Sequence, residues 1–313
     1  MPRKIGLKYN LSKSFKLSAR IFSFLLIFLI FFLLSKIISF EEVYLALLNA
    51  DLKLIPLLIV ISFFYPLIGS FRWKSVLVCF EKSLSFKEAL KSVMISYSAN
   101  LIAPAKTGDF AKAFVTEINL SKGVLTSAVI SERLIDLLSL LLLSALFSFF
   151  LSENMYFVFC SLSFLFINFF VFLVNKNVNF FSRFASNVLL KFFFDIFLIW
   201  RTRRLNLIRV FSCSLGNWIL GGFQVWLLFI MLNVEINLFS VLSLYPICVL
   251  ISLIPLTPAS IGLRESAFIF IFLQYSSPDI SILVSLLYFF FTVVVNGLLG
   301  IFFTYLFINK SLK

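Results

Sequence analysis

The sequence contains no histidine and few charged residues, and these absences exclude several classes of protein. Without histidine, the usual general base at neutral pH and the commonest metal ligand are missing. The cysteines are widely spaced in apolar stretches, which gives neither a zinc pattern nor a disulfide framework. There is no Walker A loop and no dinucleotide fingerprint. The sequence therefore predicts no metal site and no cofactor, and we assign no catalytic residues.

What the sequence does contain is apolar surface on a scale that a soluble domain could not bury. Hydrophobic residues make up 61% of the chain, only 13% is charged, and 44 residues are phenylalanine. The mean hydropathy is +1.08. Apolar runs of about 20 residues recur along the chain, which predicts a single transmembrane domain over residues 1–313 with an all-α polytopic fold. These runs cover residues 21–35, 54–71, 124–151, 155–174, 210–232, 238–256 and 280–308.

The distribution of lysine and arginine predicts the orientation. Basic residues concentrate in segments 1–20, 72–91 and 175–209 and at the C-terminal end, whereas the intervening segments carry most of the acidic residues. Cytoplasmic loops of membrane proteins are enriched in lysine and arginine. We therefore expect a multi-pass protein of the cell membrane with both termini in the cytoplasm. The net charge of +13 is explained mostly by this topology, so we expect no nucleic-acid partner.

Two further apolar stretches are broken by proline and glycine. If each enters and leaves on the same side, the basic loops alternate correctly, which predicts about six full transmembrane helices plus two re-entrant or broken hairpins; eight spans is the alternative. The first hairpin lies near residues 89–114, in a first half covering 21–174. The second lies near residues 239–275, in a second half covering 210–313.

The two hairpins share a motif in which a proline stands four residues before a glycine and a carboxylate follows. The first is Pro104-Ala-Lys-Thr-Gly108-Asp109, and the second is Pro258-Ala-Ser-Ile-Gly262-Leu-Arg264-Glu265. Opposite orientations of such hairpins are typical of inverted-repeat transporters, which bind substrate where broken helices leave backbone groups free. The alternative is that both breaks are kinks satisfied by neighbouring helices.

A second polar constellation lies inside an apolar run. Glu132 and Asp136 share a helix face, and Arg133 can pair with Asp136 three residues later. At about 1.5 Å per residue from Val124, the group lies roughly 12 to 18 Å into the span. Charges at this depth must face the protein interior. They either form a structural ion-pair network or bind an anion, for which a guanidinium is suited.

Arg72, Trp73 and Lys74 follow the second apolar run. Their expected role is to anchor the end of the helix at the membrane interface, with tryptophan at headgroup level and the cations reaching toward water. Contact with an anionic lipid headgroup is the alternative role.

The order of these motifs resembles the lysylphosphatidylglycerol synthase transmembrane region family, a group of flippase-like membrane proteins, over nearly the whole chain. The resemblance rests on Arg72-Trp73, Asn100-x3-Pro104-x3-Gly108-Asp109, Glu132-Arg133-x2-Asp136 and Pro255-x-Thr257-Pro258-x3-Gly262-x-Arg264-Glu265. It implies that these polar and turn residues bind the substrate, and that the substrate is a lipid.

The sequence departs from the family pattern at three places. Asp109 and Lys112 stand where the family usually has glutamate and arginine, and Ala259-Ser260 replaces a glycine pair. These changes keep the charges but shorten one carboxylate and stiffen one turn. The best-known members also carry a soluble aminoacyl-transfer domain, which we do not find, so we expect a standalone member without lipid aminoacylation.

Three functions follow from these observations. The leading hypothesis is a transporter-like protein, not an enzyme, that flips or binds an anionic phospholipid or a polyprenyl-linked envelope precursor. A second is a membrane-embedded glycosyl- or other transferase using Asp109, Glu132 and Glu265 as acid and base. A third is an accessory subunit whose basic segment 176–209 docks an envelope glycosyltransferase.

Overall fold

A computed structural model of the chain describes residues 32, 35–36, 38–101, 103–116, 118, 120–148, 204–254, 257 and 260–311. Throughout these residues the regular structure is helical, and none of them forms a strand. The predicted run 155–174, most of the run 21–35 and most of the basic segment 175–209 lie outside the described residues. The all-α fold predicted from hydropathy is confirmed.

The helices are named in chain order. They are α1 (Phe40–Leu48), α2 (Ile55–Cys79), α3 (Phe86–Asn100), α4 (Ala111–Val115), α5 (Lys122–Phe147), α6 (Arg204–Met231), α7 (Leu238–Ser252), α8 (Leu263–Phe272), α9 (Pro278–Phe289) and α10 (Val295–Ser311). Short 3-10 segments cover Leu52–Leu54 and Pro104–Phe110, and a π-helical segment, Phe290–Val294, joins α9 to α10.

Three of the described helices are long and apolar enough to cross a membrane. They span Leu52–Cys79, Leu205–Met231 and Pro278–Tyr305. Helix α5 has 26 residues and is therefore about 39 Å long, which also suffices to cross the hydrocarbon core. Its middle carries Glu132, Arg133 and Asp136, so its charges, and not its length, distinguish it from the other three.

The first hairpin is a helix followed by an antiparallel return segment. Helix α3 ends at Asn100, and the chain turns back through the 3-10 segment and α4, both of which pack on α3. Asn100 Nδ2 donates to Asp109 Oδ1 at 2.9 Å near the turn, and Thr116 Oγ1 donates to Ser92 Oγ at 3.1 Å farther along. A Cβ on Gly108 would lie 2.5 Å from the Asn100 nitrogen, so only glycine allows this approach.

The second hairpin is made of α7 and α8, which pack on each other. Between them, Ser260 and Gly262 have φ of 58° and 87°. Gly262 N–H donates to Glu265 Oε2 at 2.6 Å, which satisfies a backbone donor at the start of α8. The positive φ explains the glycine at this position, because other residues are strained there.

The two halves pack in a reciprocal pattern. Helices α2 and α6 contact each other; α3 of the first hairpin packs on α10, and α7 of the second hairpin packs on α5. Each hairpin therefore packs on a long helix from the other part of the chain, among the helices that the structure describes.

Candidate functional site

The centre of the site is an ion-pair network between α2 and α5. Arg72 Nε donates to Glu132 Oε1 at 2.6 Å, and Arg72 Nη1 donates to Asp136 Oδ1 at 2.7 Å. Glu132 is fully buried, and Asp136 is 2% exposed. Helix α6 completes the shell around Asp136, because Ser214 Oγ and Trp218 Nε1 donate to Asp136 Oδ1 at 2.9 and 3.2 Å.

The position of Arg72 and Trp73 differs from the interfacial position predicted for them. Helix α2 continues to Cys79, so both residues lie inside the helix and not at its end. Both side chains are buried, and Trp73 Nε1 donates to Thr116 Oγ1 at 3.3 Å. Two carboxylates neutralise Arg72, which allows the helix to continue past the charge. Lys74 is half-buried on the same helix.

The first hairpin adds two charged side chains to this network. Lys112 contributes its ammonium, which pairs with Glu132 and lies 4.8 Å from the centroid of the Trp73 ring. Asp109 contributes a carboxylate, which pairs with Arg133 Nη2 at 3.1 Å. Arg133 Nη1 also contacts Asp136 Oδ2 at 3.0 Å, the pair expected from their spacing.

The network is balanced in charge. Three cations and three carboxylates belong to it: Arg72, Lys112, Arg133, Asp109, Glu132 and Asp136. Buried ions are stable only when paired in this way. Among the described residues, no group of three or more histidine, cysteine, aspartate or glutamate side chains could hold a metal ion.

The second polar cluster is smaller and is built by α8. The guanidinium of Arg264 pairs with Glu265, and its Nε donates to Ser285 Oγ on α9 at 3.3 Å. Its Cζ lies 4.3 Å from the centroid of the Phe289 ring. Glu265 also accepts the Gly262 N–H, so both ions are satisfied within one stretch of chain and its neighbour α9.

Two adjacent cavities join these clusters. The charged cavity, of about 50 Å³, is lined by the network residues, and the aromatic cavity, of about 100 Å³, is lined by Arg264 and several rings. These rings belong to Tyr65, Tyr97, Trp218, Phe268, Tyr288 and Phe289. Both cavities are lined by Tyr97, Asn100, Asn217 and Trp218, so these four residues form a shared wall. Either volume can hold water molecules.

Six of the thirteen predicted substrate-binding residues line these cavities. Asn100, Asp109, Glu132, Arg133 and Asp136 line the charged cavity, and Arg264 lines the aromatic one. The other described residues of the set do not line either cavity. Gly108 and Gly262 allow close or tight turns in the hairpins, and Pro104 begins the 3-10 segment. Glu265 pairs with Arg264, and Thr257 is buried. Pro255 and Pro258 lie outside the described residues.

Several lining residues have a signal in the sequence that the analysis above did not use for the site. Lys112 and Asn217 are polar residues within apolar stretches, and both line the charged cavity. The tyrosines Tyr65, Tyr97 and Tyr288 resemble ordinary core residues in sequence. Only the fold brings them together.

Comparison with known proteins agrees with this architecture. No curated protein matches the sequence. The family model for the lysylphosphatidylglycerol synthase TM region matches residues 20–300, which include the described helices from α1 to α9 and every residue of the two cavities. The chain is therefore an integral membrane protein that belongs to the lysylphosphatidylglycerol synthase transmembrane region family.

Proposed function

We propose that the protein binds the headgroup of an anionic phospholipid or of a lipid-linked envelope precursor in the two cavities and moves it between membrane leaflets. The observation that carries this proposal is the shared wall, which places Arg133 in the charged cavity next to Arg264 in the aromatic cavity, inside a helical bundle. A guanidinium binds a phosphate through several donors at once. Two such groups on one path offer successive contacts to one headgroup.

The surface of the bundle fits a lipid substrate. Val60, Phe63, Phe64 and Phe71 on α2 are exposed apolar side chains, which suits contact with acyl chains. If the acyl chains of a lipid stay in the membrane against this apolar surface, only the headgroup needs a polar path through the protein. We propose that the protein lies in the cell membrane with both termini in the cytoplasm, as the distribution of basic residues predicts.

The pairing of the carboxylates favours binding over acid catalysis. Asp109, Glu132, Asp136 and Glu265 each contact a guanidinium or ammonium group. Such pairing stabilises the ionised carboxylate, whereas a general acid must hold a proton. We therefore propose a transporter and not a transferase. Docking of an envelope glycosyltransferase on the basic segment 176–209 stays a separate prediction.

The test is to identify lipids that co-purify with the protein. The parent, Arg133→Ala and Arg264→Ala are purified in mild detergent and in nanodiscs, and their lipids are identified by mass spectrometry. Arg209→Ala is the matched control, because Arg209 is an exposed arginine on α6. We expect one anionic lipid enriched in the parent and in the control and depleted in both site variants.

Two results would contradict the proposal. A bulk lipid profile that is the same in all four folded proteins would remove the headgroup site. Turnover of a lipid-linked donor by the purified protein alone would replace transport by a transferase activity. Where a lipid is enriched, its movement between leaflets is then measured in proteoliposomes that contain it.

A further inference from the structure

Three carboxylates contact Arg133, and two of them, Asp109 and Asp136, are held in different ways; the third, Glu132, lies 3.6 Å from Arg133 Nη2 and is fully buried. Asp136 Oδ1 accepts from Arg72, Ser214 and Trp218, so α2 and α6 fix its position. Asp109 accepts from Asn100 within its own hairpin and pairs with Arg133. The side chain of Asp109 is 11% exposed, against 2% for Asp136. Of the two, Asp109 is the carboxylate that a competing anion can reach and displace.

Arg133 is also the most accessible cation of the network. Its side chain is 21% exposed, compared with 9% for Arg72 and 3% for Lys112. Arg133 Nε has no hydrogen-bond acceptor among the described residues, although the guanidinium lines the charged cavity. A guanidinium with one unused donor and one exchangeable partner is suited to take a phosphate.

From this geometry we infer that Asp109 is an internal competitor of the anionic ligand. Its carboxylate holds the position on Arg133 that a ligand phosphate takes, and binding displaces the Asp109 side chain. The balanced network supports this exchange, since an added anion at Arg133 would otherwise place excess negative charge in a buried site. The inference rests on the proposed function, because it requires an anionic headgroup at Arg133.

The exchange has a consequence for selectivity. A ligand must compete with an aspartate that is already paired, so a neutral or zwitterionic headgroup with weak attraction for Arg133 stays excluded. Asp109 thereby lowers the affinity for every anion and favours those with several strong acceptor oxygens, such as phosphate esters. Loss of the carboxylate should then tighten binding, which is the opposite of what loss of an ordinary binding residue does.

The test compares Asp109→Asn with the parent in full-length protein purified in a neutral detergent. Dioctanoyl phosphatidylglycerol is titrated by calorimetry, with dioctanoyl phosphatidylcholine as the headgroup control and inorganic phosphate as the lipid-free anion. We expect the Kd for phosphatidylglycerol to fall on the order of tenfold, the effect of removing one charge-assisted competitor. Asp109→Glu retains the competitor and should stay within about twofold of the parent, because its charge is the same.

The two anions identify the source of the recognised group. Tighter binding of both phosphate and phosphatidylglycerol supports competition for the phosphate itself. Tighter binding of phosphatidylglycerol alone supports competition for a lipid headgroup. Equal or weaker phosphatidylglycerol binding by Asp109→Asn overturns the inference.

Arg133→Ala separates the two proposals. If it weakens binding while Asp109→Asn does not tighten it, the headgroup site stands and the competitor is wrong. If Arg133→Ala binds as the parent does, the headgroup site itself is wrong. Where Asp109→Asn is too unstable for calorimetry, the Tm of the variant and of the parent is measured without and with added dioctanoyl phosphatidylglycerol. A larger lipid-induced rise in Tm than in the parent supports the inference, and an equal or smaller rise overturns it.

Discussion

The two hairpins solve the same problem, placing charges inside a helical bundle, in different ways. Two charges of the first hairpin, those of Asp109 and Lys112, are neutralised by Arg133 and Glu132 of a different helix, α5. The charges of the second, Arg264 and Glu265, neutralise each other on one helix. The first hairpin is therefore tied electrostatically to the rest of the bundle, whereas the second carries its own counter-ion. Substitutions in the first should disturb more of the molecule.

Replacing the arginine at the centre of each cluster gives the largest expected difference. Arg72→Ala leaves Glu132 and Asp136 short of a buried partner and should lower the free energy of unfolding by about 3–5 kcal/mol. Arg264→Ala should cost less, because Glu265 keeps the Gly262 N–H. Thermal unfolding in detergent measures both, with Arg209→Ala as the control. Equal losses of unfolding free energy for Arg72→Ala and Arg264→Ala would contradict the electrostatic difference between the two hairpins.

The first hairpin requires a glycine at position 108 because the backbone there lies very close to Asn100 on α3. Gly108→Ala would bring a Cβ to 2.5 Å from the Asn100 nitrogen, so the return segment must move away from α3. We expect a loss of about 1–3 kcal/mol from overpacking, together with higher anionic-lipid enrichment, because Asp109 moves away from Arg133 and competes less with the lipid. Thermal unfolding and the lipid profile are measured together. An unchanged lipid profile in a destabilised protein would show that hairpin position does not affect the cavity.

The glycine of the second hairpin is required by its backbone conformation. Gly262 has φ of 87°, so Gly262→Ala should cost about 1–3 kcal/mol through local strain alone. Because the Arg264–Glu265 pair lies within one helix, we expect this cost without the lipid change that accompanies Gly108→Ala. Loss of the bound lipid in Gly262→Ala would show that the second hairpin is coupled to the cavities as tightly as the first.

The helix caps that begin the hairpins give the smallest effect. Ser85 Oγ accepts from Glu88 N at 3.3 Å, and Glu88 Oε2 accepts from Ser85 N at 3.0 Å, whereas Asn237 Oδ1 accepts from Phe239 N at 2.9 Å. Ser85→Ala and Asn237→Ala should each cost about 1 kcal/mol in thermal unfolding. A loss of unfolding free energy several times larger at only one cap would show that this cap residue stabilises its hairpin through more than the capping hydrogen bond.

The cap of the first hairpin also predicts a pH dependence. The hydrogen bonds from Ser85 lower the pKa of Glu88, which lies at the exposed start of α3. A lowered folded-state pKa gives stability that is complete above the unfolded-state pKa of about 4.3 and is lost as the pH falls through the folded-state pKa. Ser85→Ala should reduce this loss. Unfolding curves from about pH 3 to pH 6 test it, with Asn237→Ala as the control that lacks a titrating group.

The long helices could be predicted from sequence because hydrophobic burial follows composition. The apolar runs at 54–71, 124–151, 210–232 and 280–308 correspond to α2, α5, α6 and the helix from Pro278. The predicted end of α2 was wrong, because Arg72 marks the end of the apolar run whereas the helix continues to Cys79. Its counter-ions come from α5, and a local pattern contains no information about them.

The composition of the cavities was the least predictable part. Charged residues within apolar runs have a strong signal, which is why the cluster on α5 could be recognised. The ring side chains of Tyr97 and Tyr288 have no such signal, because buried tyrosines are common. Tyr97 lies on α3 and Tyr288 on α9, and the packing of α3 against α10, which follows α9 through the π-helical segment, brings both rings to the same cavity. The span count and the inverted repeat stay predictions.

The π-helical segment Phe290–Val294 determines how far α10 is rotated about the helix axis relative to α9. One added residue in a helix turns everything beyond it by about 100°. On the near side of the segment, Tyr288 meets Tyr245, with their hydroxyls 2.5 Å apart. On the far side, Gly300 lies so close to α3 that a Cβ there would be 2.3 Å from the Met94 carbonyl oxygen. Removing one residue from the segment would therefore keep the helix but point this close-packing face away from α3.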